Sequence, residues 1–447
     1  MPCMLKKLFS LIVIGISLIS CSHRPMATIA TPKQFPSIIK EYKPAKELPC
    51  LAWWKQFHDS ELDRLIEIGL QNNMDIHVAL GNLQQAQGEL RRVKLSWIPY
   101  VQLFGGYSTN PALGVPGGFY GVWPNYALNI MQLFTQQKQA KYQVQYYEAA
   151  IDGMRLVLIG QVTASYFTLS AQLEQLRLLT QLDKDLNALI KIGEQDVKIG
   201  LNNDIELAQL KSNEQLIAAQ IKPVKHNIVV SQNALRYLIN ENPGPVKTKT
   251  QFSQLDFTQF KPGSLPMSVL ANRPDMKMAY YALKSARAGV LVSYSDFFPL
   301  MQLDDFIGEA HLPNNTFEQA TDAYFNWTIK PSSVGKIAAS KGAYYAKMAE
   351  YIKTVRFILK EVDNAFSANQ RMNEQFLSYW KAQKNYESKY KLQDGLVKTG
   401  LLSNKELLES KIYLDNLALS TNQAKLELAM SLVLLYQDLA GGYAYNS

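Results

Sequence analysis

Cysteine is scarce in this chain, with three in 447 residues, at Cys3, Cys21 and Cys50. Cys3 falls in a removable leader and Cys21 in a processing motif. Cys50 is left without a mate, which excludes a disulfide framework. The five histidines, His23, His58, His77, His226 and His311, show no metal-ligand spacing. No Ser/His/Asp set or Gly-rich phosphate loop accompanies them, so the sequence offers no catalytic or metal centre. His58 and His77 read as surface or packing residues. Beyond Cys21 no apolar run reaches the ~18 residues of a transmembrane-helix candidate. The formal charge of +8 falls to +6 once Lys6 and Lys7 leave with the leader. It is spread without a Lys/Arg block, which argues against nucleic-acid partners.

What is present begins with targeting. Residues 1–20 read as a secretory signal, with Lys6 and Lys7 as the basic region and Leu8 to Ile19 as the apolar region. Leu18-Ile19-Ser20-Cys21 then matches a lipobox, so Cys21 is expected to carry acyl chains that anchor the chain firmly. Ser22, rather than Asp, follows the cysteine. Residues 21–50, with five prolines and little periodicity, read as a lipidated tether.

The remainder repeats itself at an offset of 200. Asn72 and Asp75 recur as Asn272 and Asp275, and Pro99, Gln102 and Leu103 as Pro299, Gln302 and Leu303. Val197-Lys198 recurs as Val397-Lys398, Gly200-Leu201 as Gly400-Leu401, and Glu206-Leu207 as Glu406-Leu407. A length prior of ~150 residues per domain suggests about three domains. The repeat implies instead one pseudo-symmetric body of two halves, 51–240 and 267–447, joined by a proline-rich linker over 241–266.

Within each half, hydrophobic periodicity predicts a helix (60–97 in the first), ended by Pro99. Period-two alternation then predicts strands at 100–109, 119–131, 299–308 and 319–330, forming hairpins over 100–131 and 299–330. Asp304-Asp305 make the third strand the weakest of these. Loops at 110–118 and 309–318 are the hairpin tips. Long proline-free helical tracts follow. A continuous helix over 135–199 would extend ~98 Å, a length that points to coiled-coil packing. Gly200 and Gly400 break the tracts into helical hairpins, with Asp204 or Ser403 able to cap the returning helices.

Four amphipathic strands of about ten residues match the length of membrane β-strands. Four strands cannot close, and an open edge in lipid leaves backbone groups unsatisfied. Several chains must therefore share one barrel, and three would give twelve strands. The fold class is mainly α with a small membrane β part.

Trp53-Trp54-Lys55-Gln56-Phe57 with Asp59 and Leu62, Asn272-Arg273-Pro274-Asp275 with Phe298-Pro299, and Leu439-Ala440-Gly441-Gly442-Tyr443 carry a resemblance. They resemble the TolC-like outer-membrane efflux family, in particular its lipoprotein (OprM/NodT-like) branch serving tripartite RND pumps. The likeness covers roughly 50–443. It implies a homotrimeric tunnel, with a twelve-stranded barrel in the outer membrane and an α-helical barrel across the periplasm. It implies no enzymatic chemistry and no cofactor beyond the lipid on Cys21, and it implies an inner-membrane pump and a periplasmic adaptor as partners. By the same resemblance Val197, Gly200, Leu201, Val397, Gly400 and Leu401 are the adaptor-contacting tips. Lys405, Glu406 and Glu409 mark the periplasmic aperture, where Lys405 is expected to pair with a neighbouring copy's Glu406 or Glu409. The family more often has Asp there. Two other readings remain, a type I secretion channel and a non-pore structural lipoprotein, and the cargo is not legible.

Overall fold

The computed structural model describes residues 52–109, 117–201, 203–258, 273–310, 316–328 and 330–439. The signal, Cys21, the tether, Asn272, residues 110–116 and 311–315 of the hairpin tips, linker residues 259–266 and the ending from Ala440 lie outside these.

After a 3-10 turn, Trp53–Phe57, the first half contains α1 (Ser60–Asn72), α2 (Met74–Leu95), β1 (Tyr100–Ser108) and β2 (Gly117–Leu128). It continues with α3 (Ile130–Lys198) and α4 (Asp204–Leu238), which runs through Pro223. The second half contains α5 (Pro274–Tyr294), β3 (Leu300–Ala310), β4 (Thr316–Asn326), α6 (Ser332–Lys398) and α7 (Asn404–Asp438). With 69 residues in α3 and 67 in α6, each long helix spans about 100 Å at 1.5 Å per residue.

Four details depart from the sequence expectation. The helix expected over 60–97 is two helices, because Asn73 interrupts it. Its side chain accepts from Asp75 N and Ile76 N, capping α2, and its Nδ2 donates to Leu238 O at 2.9 Å. The second and fourth strands end early, at Leu128 and Asn326, since Asn129 caps α3 and Trp327 turns to donate its indole N–H to Phe297 O at 3.0 Å. Asp304 and Asp305 do not interrupt β3. Asp304 accepts from Asn125 at 2.5 Å and from Tyr324 at 3.2 Å, and Asp305 accepts from Thr321 at 2.9 Å. Asp204 is no cap, since Asn203 caps α4 by accepting from Glu206 N.

The four strands form one antiparallel sheet in the order β1-β2-β3-β4. The β2–β3 pairing joins the two halves, with Val122 opposite Ile307 and Asn125 opposite Asp304. The register puts Val101, Leu103, Val122, Leu303, Ile307 and Phe325 on one face, and Gln102, Asn125, Gln302, Asp304, Asp322 and Asn326 on the other. On the apolar face Leu103 is 76% and Phe325 75% exposed, so nothing among the described residues covers them. Among the described residues β1 and β4 each have one neighbour, leaving two unpaired edges.

The main core lies below the sheet, where the N-terminal turn meets α1, α3 and α7. Trp53 stacks on Tyr436 with ring centroids 4.5 Å apart, and Phe57 meets Phe167 edge-on at 5.0 Å. The expected linker is more than a connection in its first part. Val246, Phe252, Leu255 and Phe257 are buried in this core. Lys425 of α7 reaches over the Phe252 ring and donates to Ser253 O at 2.7 Å. Burial pushes its ammonium down to about 8.

Candidate functional site

The two helical turns at the far ends of α3 and α6 are built alike. Gly200 and Gly400 adopt φ of 76° and 77°, the left-handed region that glycine enters without a Cβ clash. Gly200 N donates to Val197 O and Leu201 N to Asp196 O. Gly400 N donates to Val397 O and Leu401 N to Leu396 O. These pairs of bonds are Schellman motifs, which satisfy helix-end carbonyls and turn the chain back on itself. They leave Leu201 and Leu401 77% and 76% exposed at the tips, with Val197 and Val397 half-buried beneath. An apolar side chain held out on a rigid turn is suited to entering a partner's pocket.

The returning helices differ in one respect. Glu206 and Glu406 occupy the same position, third in α4 and α7. Glu406 closes a capping box, accepting from Ser403 N at 3.0 Å and from Ser403 Oγ at 2.8 Å. Those bonds hold its carboxyl below the ordinary range. Glu206 accepts from Lys405 Nζ at 3.0 Å, with Asp196 Oδ2 at 3.9 Å from the same ammonium. The expected pairing of Lys405 was with Glu406 or Glu409 of a neighbouring copy; within the single chain Lys405 bonds Glu206 on the other helical hairpin. Glu409 acts on it through charge alone. Hydrogen bonding to Glu206 raises the Lys405 ammonium against the opposing effect of burial, with the charges of Glu206, Glu409 and Asp196 adding to the rise.

Higher up the same seam Lys411 of α7 bonds Asp185 of α3 at 2.9 and 2.8 Å, and Asn422 donates to Ala171 O at 3.0 Å. The seam between the hairpins is thus fastened at three levels. Its lowest fastening, Lys405–Glu206, has side chains 26% and 47% exposed, and such pairs are worth about 0–1 kcal/mol. A latch of that size can be opened by binding a partner.

Asp415 faces Asp185, Lys411 and Arg177. Burial, then its hydrogen bond with the Asp185 carboxylate, pushes it up to about 7. Burial raises Asp185 too, but bonds from Lys411, Gln181 and Asp415 outweigh that and keep it below the ordinary range. Since the folded state holds the Asp415 proton more tightly than the unfolded chain, stability falls as pH rises from about 4 to about 7, then levels. Asp415→Asn, which donates without a titratable proton, should flatten this fall. Unfolding midpoints at pH 5 and pH 8 are the check, and the variant is expected to exceed the parent only at pH 8.

Glu206 and Asp196 were not among the aperture residues read from sequence. The signal for Glu206 was its place 200 positions before Glu406. Among the described residues no group of three or more His, Cys, Asp or Glu is placed to hold a metal.

The family model described as "Outer membrane efflux protein" matches residues 65–241 and again 265–441. The antibiotic efflux pump outer membrane protein ArpC of Pseudomonas putida is 24% identical, over 98% of this chain and 96% of its own. The pyoverdine export outer membrane protein OpmQ of Pseudomonas putida is 25% identical, over 98% of each. The Campylobacter jejuni CmeC outer membrane channel superposes with a TM-score of 0.79 at 19% identity, covering 96% of both chains, and so shares the fold. With the sheet, the long helices and the doubled match in agreement, the chain belongs to the outer membrane efflux protein family.

Proposed function

We propose that three copies of this chain form a passive outer-membrane tunnel that exports small molecules delivered by an inner-membrane pump through a periplasmic adaptor. The observation that carries this reading is the sheet. It has four membrane-length strands, one largely apolar face on which Asp305 is bonded to Thr321, and two unpaired edges among the described residues, which lipid does not tolerate. Pairing β4 of one copy with β1 of the next removes every edge and closes twelve strands. The apolar face then meets lipid and the Gln102, Asn125 and Asp304 face lines the lumen, as in other membrane barrels.

The helical hairpins continue the duct into the periplasm. Val197, Gly200, Leu201, Val397, Gly400 and Leu401 are the adaptor contacts. The Lys405–Glu206 latch, with Glu409 beside it, keeps the aperture narrow until an adaptor separates the hairpins. Cys21 carries the lipid that holds the chain at the membrane, and no other cofactor takes part. An RND-type pump supplies the energy.

The test is a cysteine pair, Leu103→Cys on β1 and Phe325→Cys on β4, oxidised in isolated outer membranes. Both positions lie on the same face, and disulfide formation needs Cα atoms within ~7 Å. A ladder ending at three subunits is expected, with several cysteine positions scanned along β4 to find the register. A chain that stays monomeric at every position contradicts the shared barrel.

A further inference from the structure

A cleft of about 700 Å³ opens between the start of α2 and the end of α4. It lies at the opposite end of the 35-residue α4 from the tips, so about 50 Å above them, and outside the sheet. Its wall is polar. Asn240 stands in the left-handed conformation, φ 58°, closing a third Schellman turn in which Glu241 N donates to Arg236 O. Arg236 bonds the Glu241 carboxylate and donates to Pro245 O at 2.6 Å. The rim is thereby fixed by a guanidinium and two prolines, Pro243 and Pro245. Tyr237 projects from this rigid frame with 72% of its surface exposed.

Among the described residues of the second half the lining is not repeated. The counterpart of Asn73 is Arg273, whose longer side chain reaches Asp438 O. The counterpart of Arg236 is Tyr436, buried against Trp53. The counterpart of Tyr237 is Gln437, turned inward so closely that a Cβ on Gly160 would meet it at 1.8 Å. These replacements at the described positions set the first half's lining apart from its repeat.

We infer that this cleft binds a neutral acetamido-sugar glycan, of the kind that makes up the cell-wall polymer a periplasmic duct must pass through. Arg236 and Glu241 neutralise each other, leaving Asp75 as the one uncompensated charge in the lining, so phosphate and other anions are disfavoured. Asn240 and Asn242 each present a carbonyl acceptor and an amide donor, the complement of sugar hydroxyls and acetamido groups. Tyr237 offers a flat apolar face for the C–H side of a pyranose with a hydroxyl at its rim. The volume lies in the range that encloses small ligands, ~300–1,000 Å³. The fixed rim reduces the ordering cost of binding. The inference rests on the periplasmic placement in the proposed function.

The experiment uses full-length protein purified in detergent and sedimented with purified Gram-negative peptidoglycan sacculi. Wild-type protein should pellet, soluble N-acetylglucosamine oligomers should release it, and a Tyr237→Ala/Asn242→Ala variant should bind at least about ten-fold more weakly. All these side chains are exposed, and unchanged channel conductance of the variant shows that it is intact. Equal sedimentation of variant and parent, no sedimentation of the parent, or release by salt but not by oligosaccharide would each overturn the inference. Loss of conductance in the parent would instead strike the channel reading.

Discussion

Arg273→Ala should destabilise the folded protein by about 3–5 kcal/mol, the cost of leaving a buried charge without its partner. Arg273 is 8% exposed and holds three groups at once. Its Nε and Nη2 bond the Asp275 carboxylate at 3.0 and 2.9 Å, while Nη1 donates to Asp438 O and lies 3.6 Å from Asp438 Oδ1. It therefore ties the first turn of α5 to the last turn of α7. Asp438 is itself 8% exposed. Burial raises its carboxyl, and the Arg273 charge only partly counters that. The sign of the pH effect follows. A carboxyl whose folded pKa lies above its unfolded value weakens the fold as pH rises through that interval. Without Arg273 the interval widens upward, so the variant's deficit should be smaller at pH 5 than at pH 8. Urea midpoints at the two pH values measure it. Arg273→Lys, which keeps charge but loses the fork, should fall between parent and alanine variant. A pH-independent deficit would mean that Asp438 is not the group left stranded.

Asp59→Ala should cost about 2–4 kcal/mol, summing a lost N-cap of ~1 and a buried hydroxyl left unpaired at ~1–3. Asp59 is 1% exposed. It accepts from Glu61 N and Leu62 N at the start of α1, and from Tyr166 Oη at 2.7 Å. Tyr166 is fully buried in α3, and burial, then the bond to Asp59, raises its phenol. One carboxylate thus starts a helix and anchors it to the core. Tyr166→Phe should cost less, about 1 kcal/mol, because Asp59 keeps its two backbone donors. The two substitutions together should cost less than their sum, as for any pair sharing one interaction. A double-mutant cycle on the denaturation midpoint decides this, and strict additivity would mean that the bond contributes nothing.

These two sites show what was legible and what was not. The helices and strands followed from periodicity, and the two turns from glycines 200 residues apart. The break at Asn73 did not, because an Asn-Asn-Met-Asp run reads as helix surface until Leu238 O is known to lie above it. Yet Asn73–Leu238 and Arg273–Asp438 are the same contact, 165 residues long in both halves. The repeat preserved the geometry while the chemistry changed from amide to guanidinium, and no local pattern could signal that. Trp53 was legible as part of a motif but not as core, since it packs on Tyr436 of the last helix.

At the proposed aperture, Lys405 was legible as a residue beside the second helical turn. Its partner was not, because the bond crosses between repeats. The Ser403-x-x-Glu406 spacing spells a capping box, and Glu406 closes it within its own chain. The latch is consequently one lysine and one glutamate from opposite hairpins, weak by itself, backed by the more buried Lys411–Asp185 pair.

The central claim is that this chain assembles into a tunnel whose periplasmic end is held narrow by that latch. Single-channel conductance of the purified, lipidated protein in planar bilayers tests it directly, with Lys405→Ala measured beside the parent. The account predicts discrete conductance steps for both, with larger steps or longer open times in the variant. Steps that are identical would remove the latch and keep the tunnel. No steps from either protein, with insertion demonstrated, would contradict the tunnel itself.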